Sequence, residues 1–307
     1  MIDPNSTSTT RTFRDIHLGG KEGPNRSGIR RIRRRRFLQG AGAAAAFTWV
    51  YPQAVRGSQA STALRLGVIG CGGRGNFVSD KFKKSTNCRI VALADPFPVN
   101  AEELKKNHAE PDAKVFGGLA GYRELLASDV DAVIITSPPC FHAEQAGAAV
   151  DAGKHVWLAK PVSVDVAGAK SIIASGERAK SRAAGAVSLF VDFQTRNSAA
   201  FREAAERVHR GDIGAIVSGQ VYYQASRLQP HADPKDVTNP ATRLKNWVFD
   251  KALSGDIIVE QNVHVLDVAN WYIGSHPLQA FGTGGRKGRT DVGDCWDHFL
   301  AIYWYPE

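Results

Sequence analysis

Short apolar runs, each closed by turn residues and followed by a helical pattern, begin at Leu64 and recur as far as Lys180. Leu66–Ile69, Arg89–Ala94, Asp131–Thr136 and His155–Leu158 read as buried strands, and Phe141–Ala152 and Ser163–Lys180 as helices. Continuous apolar strands separated by helices describe parallel strands covered on both faces, the doubly wound α/β arrangement. Near Gly185 the texture changes. Longer alternating stretches follow, Ile216–Gln224 and His298–Tyr305, with a predicted helix from about Ile257 to Tyr272 between them. Alternation suits antiparallel strands with one wet face, so the second part is expected to be an α+β domain with a largely antiparallel sheet. The expected division is a leader over 1–60, a nucleotide-type domain over 61–185 and a substrate and oligomerisation domain over 186–307. The last strand pattern runs to Tyr305, with Pro306-Glu307 directly after it.

Composition narrows the class. At 43% hydrophobic and 22% charged residues, the chain lies far from the weakly hydrophobic, highly charged corner where chains stay disordered. The net charge of +9 would suggest nucleic acid if it were spread over the fold. Residues 1–60 hold 11 Lys/Arg and 3 Asp/Glu, which leaves 28 against 27 for the remainder. A near-neutral body lacks the clustered cations that phosphate neutralisation needs, so no nucleic-acid partner is expected. The basic segment leads from Arg30-Arg31 and Arg33–Arg36 through Phe37-Leu38 into a small apolar stretch, Gly40–Val50, with a small-residue exit near Ala60. That order reads as a secretory leader, and Arg34-Arg35-Arg36-Phe37-Leu38 is similar to the twin-arginine export signal. A periplasmic location is expected, or a cytoplasmic one if the leader does not function; a disordered basic arm is the alternative reading of the same residues. Downstream of it no run of 18 uncharged apolar residues occurs, so no membrane-spanning body is expected. The four cysteines, Cys71, Cys88, Cys140 and Cys295, lack metal-finger spacing and are expected as free thiols.

Gly70-Cys71-Gly72-Gly73-Arg74-Gly75 is a G-x-G-x-x-G that directly follows a predicted strand, opens a predicted helix, and has Asp95 at the end of the next apolar run. That context makes it the phosphate turn of a Rossmann-type domain. Its first glycine permits the tight turn, its second lets a pyrophosphate approach the backbone, and its third lets helix and strand pack closely. The helix N-terminus offers N–H donors and partial positive charge to the phosphates. Asp95 would accept from the adenosine ribose hydroxyls and repel a 2′-phosphate, which favours NAD over NADP; Arg74 is the nearby cation that could accommodate that phosphate.

Beyond this turn, a series of motifs in order resembles the glucose-fructose oxidoreductase / inositol dehydrogenase / MocA (Gfo/Idh/MocA) family of NAD(P)-dependent oxidoreductases. Thr136-Ser137-Pro138-Pro139-Cys140-Phe141-His142 is similar to the family's loop beside the nicotinamide, with Pro139 in place of the usual Asn. Gly153–Pro161 is similar to the segment carrying the family's lysine, which falls on Lys160, while the neighbouring cofactor-holding Glu is Ala159 here. Ser254–Asp267 resembles the family's His-containing segment, with Glu260 where Asp is commoner, Asn262 where Gly is, and His264 and Asp267 retained. The resemblance implies a cofactor site at Gly70–Gly75, Asp95, Thr136, Ser137, Pro138, His142 and Lys160; it also implies that the second domain is incomplete, since family members continue past such a strand, and that its sheet would carry any homo-oligomer contact.

Residue types carry a chemistry of their own. Glu260 and His264 stand four apart on the predicted helix and Asp267 three further, so all three are expected on one face. A carboxylate beside an imidazole fixes its tautomer, and an alcohol losing hydride needs a proton acceptor. His264 is the expected base, Glu260 its partner, and Lys160 the donor to the same oxygen; a surface Glu–His pair is the plainer alternative. Three ligands on successive turns of one helix do not converge on a tetrahedral centre, so no metal is expected. Substrate contacts are expected from Lys160 and Asp267, and more weakly from Trp247 and Arg243. The expected function is NAD-dependent hydride transfer at a sugar or polyol hydroxyl carbon. Redox-assisted glycosidic cleavage and a non-catalytic dinucleotide-binding protein are the alternatives.

Overall fold

Alternate residues of the central strands bury against opposite sides, because helices cover both faces of one parallel sheet. In the strand Ala132–Ile135, Val133 and Ile135 enter one core cluster while Ala132 and Ile134 enter the other. The computed structural model describes residues 63–306, other than Pro234 and Val237. The expected leader and its arginines lie outside the described residues.

The strands are β1 (Leu64–Ile69), β2 (Cys88–Asp95), β3 (Lys114–Gly117), β4 (Ala132–Ile135), β5 (His155–Ala159) and β6 (Leu189–Asp192), arranged β3-β2-β1-β4-β5-β6 and parallel throughout. Between them run α1 (Gly73–Ser85), α2 (Pro98–His108), α3 (Gly121–Ala127), α4 (His142–Asp151) and α5 (Val166–Ser181). The order reverses between β1 and β4, and the carboxyl ends of strands at such a switch point open the crevice where ligands of doubly wound sheets bind. Fully buried Val68, Leu93, Val133 and Leu158 each contribute about 1.5–3 kcal/mol by leaving water. This is the Rossmann-type sheet expected from the apolar runs, and β6 extends it past Gly185.

The second part is built differently. Helices α6 (Ala199–His209), α7 (Pro240–Lys245), α8 (Lys251–Ser254), α9 (Asp256–Glu260) and α10 (Val263–Ile273) precede an antiparallel pair, β7 (Gln279–Gly285) with β8 (His298–Trp304). Two expectations fail here. Ile216–Gln224 forms no strand; β7 and β8 pair with each other, and no third strand joins them among the described residues. An alternating sequence without a ladder partner leaves its backbone groups to water. The helix expected over Ile257–Tyr272 is two helices broken at Gln261–Asn262. Lys160 Nζ donates to the Glu260 carbonyl, so that oxygen is drawn off the helical ladder, and the His264 N–H turns to Gln261 O at 3.3 Å.

Candidate active site

The glycine turn is built by close approach. Gly70 has φ +88°, and a Cβ there would lie 2.5 Å from the Ser137 nitrogen; one on Gly75 would lie 2.3 Å from the Gly70 oxygen. Neither position admits a side chain. Gly72 and Gly73 are the reverse, since a Cβ on either meets nothing within 4 Å. Gly72 caps α1 with no side-chain bond, and no acid stands in that helix's first turn, so the first-turn N–H groups face open space. Thr136 Oγ1 donates to the Gly70 carbonyl at 2.6 Å and holds the turn against β4.

Asp95 accepts from the Cys71 N–H at 2.7 Å, the Phe97 N–H at 2.8 Å and Asn100 Nδ2 at 3.3 Å. Its role is therefore first to close the turn. Burial raises its carboxyl above the ordinary aspartate value, opposed by these bonds, while its edge still lines a cavity of about 390 Å³ with Gly70, Gly72, Gly73 and Thr136 to Pro138. A donor-rich helix end, an open glycine face and a carboxylate at the strand terminus fit a dinucleotide's pyrophosphate and ribose. His142 is a girder beneath this wall. Its Nδ1 faces Pro161 O at 2.7 Å and its Nε2 faces Ser137 O at 2.8 Å, tying the loop after β4 to the loop after β5. Burial pushes its imidazole down to about 4, against the pull of the two carbonyls.

At the carboxyl end of β5, Lys160 Nζ meets Glu260 Oε1 at 2.6 Å, and the two side chains are only 20% and 11% exposed. Glu260 arrives through a left-handed step at Gly255 (φ 79°) and Asp256 (φ 70°), where the Asp256 carboxylate accepts the Ile257 and Trp296 N–H groups. Asp192 ends β6 beside Ala159 and pairs with Arg74. His264 completes the cluster. Burial and then the charge of Lys160 hold its imidazole below the ordinary histidine value, while the charges of Glu260 and Asp192 oppose them. Its ring stacks on Tyr223 at 6.1 Å and 18°, and its Nδ1 is buried without a hydrogen-bond partner.

Lys160, Glu260 and His264 are thus brought together, but not as a helical pair: the Glu260 carboxylate is held by Lys160, and no bond joins it to His264 among the described residues. Asp267 is not turned to this cluster, since Arg196 binds it through two nitrogens at 2.8–3.1 Å. Arg243 pairs with Asp250 instead. Arg74 lies over Trp157 and pairs with Asp192. Trp247 lines the dinucleotide cavity rather than the lysine cluster. Asp192 went unread in the sequence because the apolar run before it, Leu189-Phe190-Val191, is only three residues long and falls after the change of texture near Gly185; its one signal is that it terminates the strand after Lys160's.

Residues 64–185 match a family model described as the oxidoreductase family, NAD-binding Rossmann fold, and residues 201–307 match the GFO/IDH/MocA C-terminal domain. A myo-inositol 2-dehydrogenase of Thermotoga maritima is 25% identical over 243 residues, covering 78% of this chain and 64% of the relative. An inositol 2-dehydrogenase of Ralstonia nicotianae is 29% identical over 227 residues, covering 74% and 59%. The crystal structure of an oxidoreductase domain protein from Kribbella flavida superposes with a TM-score of 0.63 at 22% identity, over 80% of this chain and 64% of that one. The chain spans about three fifths of the length of the curated relatives it matches. The first half is an NAD-binding Rossmann domain.

Proposed function

The chain belongs to the Gfo/Idh/MocA oxidoreductase family, and from that premise we propose that it oxidises a secondary hydroxyl of a polyol or sugar ring with NAD. The observation that carries the reading is the Lys160–Glu260 pair, held beside His264 at the carboxyl edge of the dinucleotide sheet. When bound, the nicotinamide supplies the hydride acceptor. Lys160 donates to the hydroxyl oxygen of the reacting carbon, and the Glu260 carboxylate and carbonyl fix the direction of its ammonium. His264, kept neutral by burial, takes the hydroxyl proton at Nε2, since Nδ1 is enclosed. Tyr223 backs the imidazole and stops it from turning away. Inositol dehydrogenases among the relatives support a cyclic polyol as the substrate class.

The test is reduction of NAD by the purified protein, followed through the absorbance of the reduced nicotinamide, over a panel of cyclitols and sugars. Turnover that disappears in Lys160→Ala and His264→Ala supports the reading; NAD binding without turnover on any member leaves a dinucleotide-binding protein. We also propose export by the twin-arginine route, supported by Arg34 to Leu38 and the small apolar stretch that follows. A mature N-terminus near Ser61 in the periplasmic fraction supports it, and an intact leader there counts against it.

A further inference from the structure

Among the described residues Asp256 is the one non-glycine with a positive φ, at 70°. A left-handed backbone is costly for any residue with a Cβ, and such positions persist where the surrounding structure over-determines them, most often at functional sites. Asp256 stands four residues before Glu260, at the start of α9. We infer that Asp256 is a positioning residue: its carboxylate fixes the start of α9, and through that helix the Glu260 grip that aims Lys160 at the reacting oxygen. Its part in the reaction rests on the proposed oxidation.

Three segments meet at that carboxylate. Its Oδ1 accepts the Ile257 N–H at 2.8 Å, in the first turn of α9, and the Trp296 N–H at 2.9 Å, in the loop before β8. Its Oδ2 lies 3.6 Å from Lys251 Nζ on α8, and the same ammonium sits 4.9 Å from the centre of the Trp296 ring. The Asp256 N–H in turn donates to Ser254 Oγ at 3.1 Å, and Ser254 is wholly buried. An aspartate's short side chain bonds neighbouring backbone groups, which is why the left-handed region admits it where it refuses bulkier residues. The loop with Trp296 is held independently, since the Arg286 guanidinium donates to the carbonyls of Arg289, Val292, Gly293 and Cys295.

The consequence falls on Lys160. Helix α9 has five residues, too few to hold a direction by itself, and its far end carries both acceptors of the Lys160 ammonium, the Glu260 carbonyl and Oε1. Where the helix starts therefore decides where those acceptors stand. Gly255 sets the approach: a Cβ on it would lie 2.9 Å from Val259 Cγ1 and 3.1 Å from the Val164 Cα, four residues past Lys160. The left-handed step thus seats the start of α9 against the loop that follows the lysine. A misplacement of about 1 Å at a reacting group can cost about a hundred-fold in rate, so a carboxylate that never meets the substrate can still govern turnover.

Asp256→Asn and Asp256→Gly separate this role from a merely structural one. Asn keeps an acceptor oxygen and tolerates the left-handed region, whereas Gly fits that backbone best and keeps no side-chain bond. On the panel of cyclitols and sugars, Asp256→Gly is expected to lower kcat by about 10-fold to 100-fold with the KM for NAD unchanged, and Asp256→Asn to stay within about 3-fold of the wild type. Limited methylation of the full chain with formaldehyde and a borane, read by peptide mass, follows Lys160 without any turnover. An ammonium engaged by two acceptors is withheld from the reagent, so Lys160 is expected to react several-fold faster in Asp256→Gly and at the wild-type rate in Asp256→Asn, with exposed Lys170 as the reference. A structural role alone predicts the reverse order, with Gly the milder change because it relieves the backbone. Equal Lys160 labelling in the wild type and Asp256→Gly, or a loss of kcat as large in Asp256→Asn as in Asp256→Gly, overturns the assignment. If the wild type reduces no NAD on any member of the panel, the oxidoreductase reading fails, and the labelling alone decides whether Asp256 fixes Lys160.

Discussion

The two halves of the molecule use the same hydrophobic alphabet to opposite effect. In the first half, strand residues such as Ile90, Leu93 and Leu158 are wholly buried, and both apolar clusters among the described residues lie between Leu66 and Val191. In the second, β8 alternates in sequence as a strand should, yet Leu300 is 65% exposed and Ile302 and Trp304 are each 50% exposed. The difference is not in the residues but in what lies across from them. A parallel sheet with helices on both faces supplies its own partners, whereas a two-stranded antiparallel ribbon has one neighbour per strand and an open face. The parallel sheet therefore carries its own core, and the proposed reacting cluster exists where the second half reaches back, Glu260 to Lys160.

The sharpest way to break this comparison is at the bridge. Lys160→Ala is expected to lower kcat/KM by roughly a hundred-fold to ten-thousand-fold, the range for a positioned proton-transfer group, while NAD affinity holds. Equal loss in both would show that the lysine serves the frame and not the reaction. Next in size is a matched pair of core tests. Leu93→Ala should cost about 2–5 kcal/mol in urea unfolding, and Leu300→Ala about 0.5 kcal/mol or less. A large penalty at Leu300 would mean that its face is covered in solution.

How far each half was legible follows from the same contrast. Strands β1, β2, β4 and β5 could be read because burial on both faces forces unbroken apolar runs. Strand β3 could not, since its four residues, Lys114–Gly117, are short and exposed at both ends. Strand β6 also failed to register, with Phe190 45% exposed in its middle, and so Asp192 was lost with it. The glycine turn was legible because steric demands at Gly70 and Gly75 leave one residue type. Glu260 and His264 do stand with Lys160, but the geometry that brings them there was not legible. The i, i+4 spacing assumes a continuous helix, and a lysine 100 positions away in the chain takes the carbonyl that would have continued it. That Arg243 pairs with Asp250 and Trp247 lines the cavity beside the glycine turn could not be read, because a loop's destination is fixed by tertiary anchors such as Asn246 and Asp250, which leave no periodic trace.

The histidines give a smaller, pH-dependent test of the frame. Burial lowers His142 from 6.5 to about 4, so the folded chain keeps the ring neutral where the unfolded chain protonates it. Stability is full above the unfolded value and falls as pH drops below it, by about 2 kcal/mol between about pH 7 and pH 5. His264 and His108 are also held low by burial and add the same sign. Urea unfolding across that range should show the decline, and His142→Gln should flatten much of it; an unchanged slope would mean that His142 is not the group responsible.

The finest test lies where the halves meet through charge. Asp192 ends β6 and Arg74 stands in the first turn of α1, both act on His264 from a distance, and they act in opposite directions: Asp192 favours the imidazolium and Arg74 disfavours it. As the proposed base, His264 must be neutral, so the acid limb of kcat/KM follows its protonation. Asp192→Asn removes a charge that favours protonation, and the limb should move to lower pH. Arg74→Gln removes one that opposes it, and the limb should move to higher pH. A merely structural role for the pair predicts that both variants weaken the enzyme alike and leave the limb in place. Shifts of opposite sign would show that two residues of the cofactor frame set the working range of a base contributed by the other half.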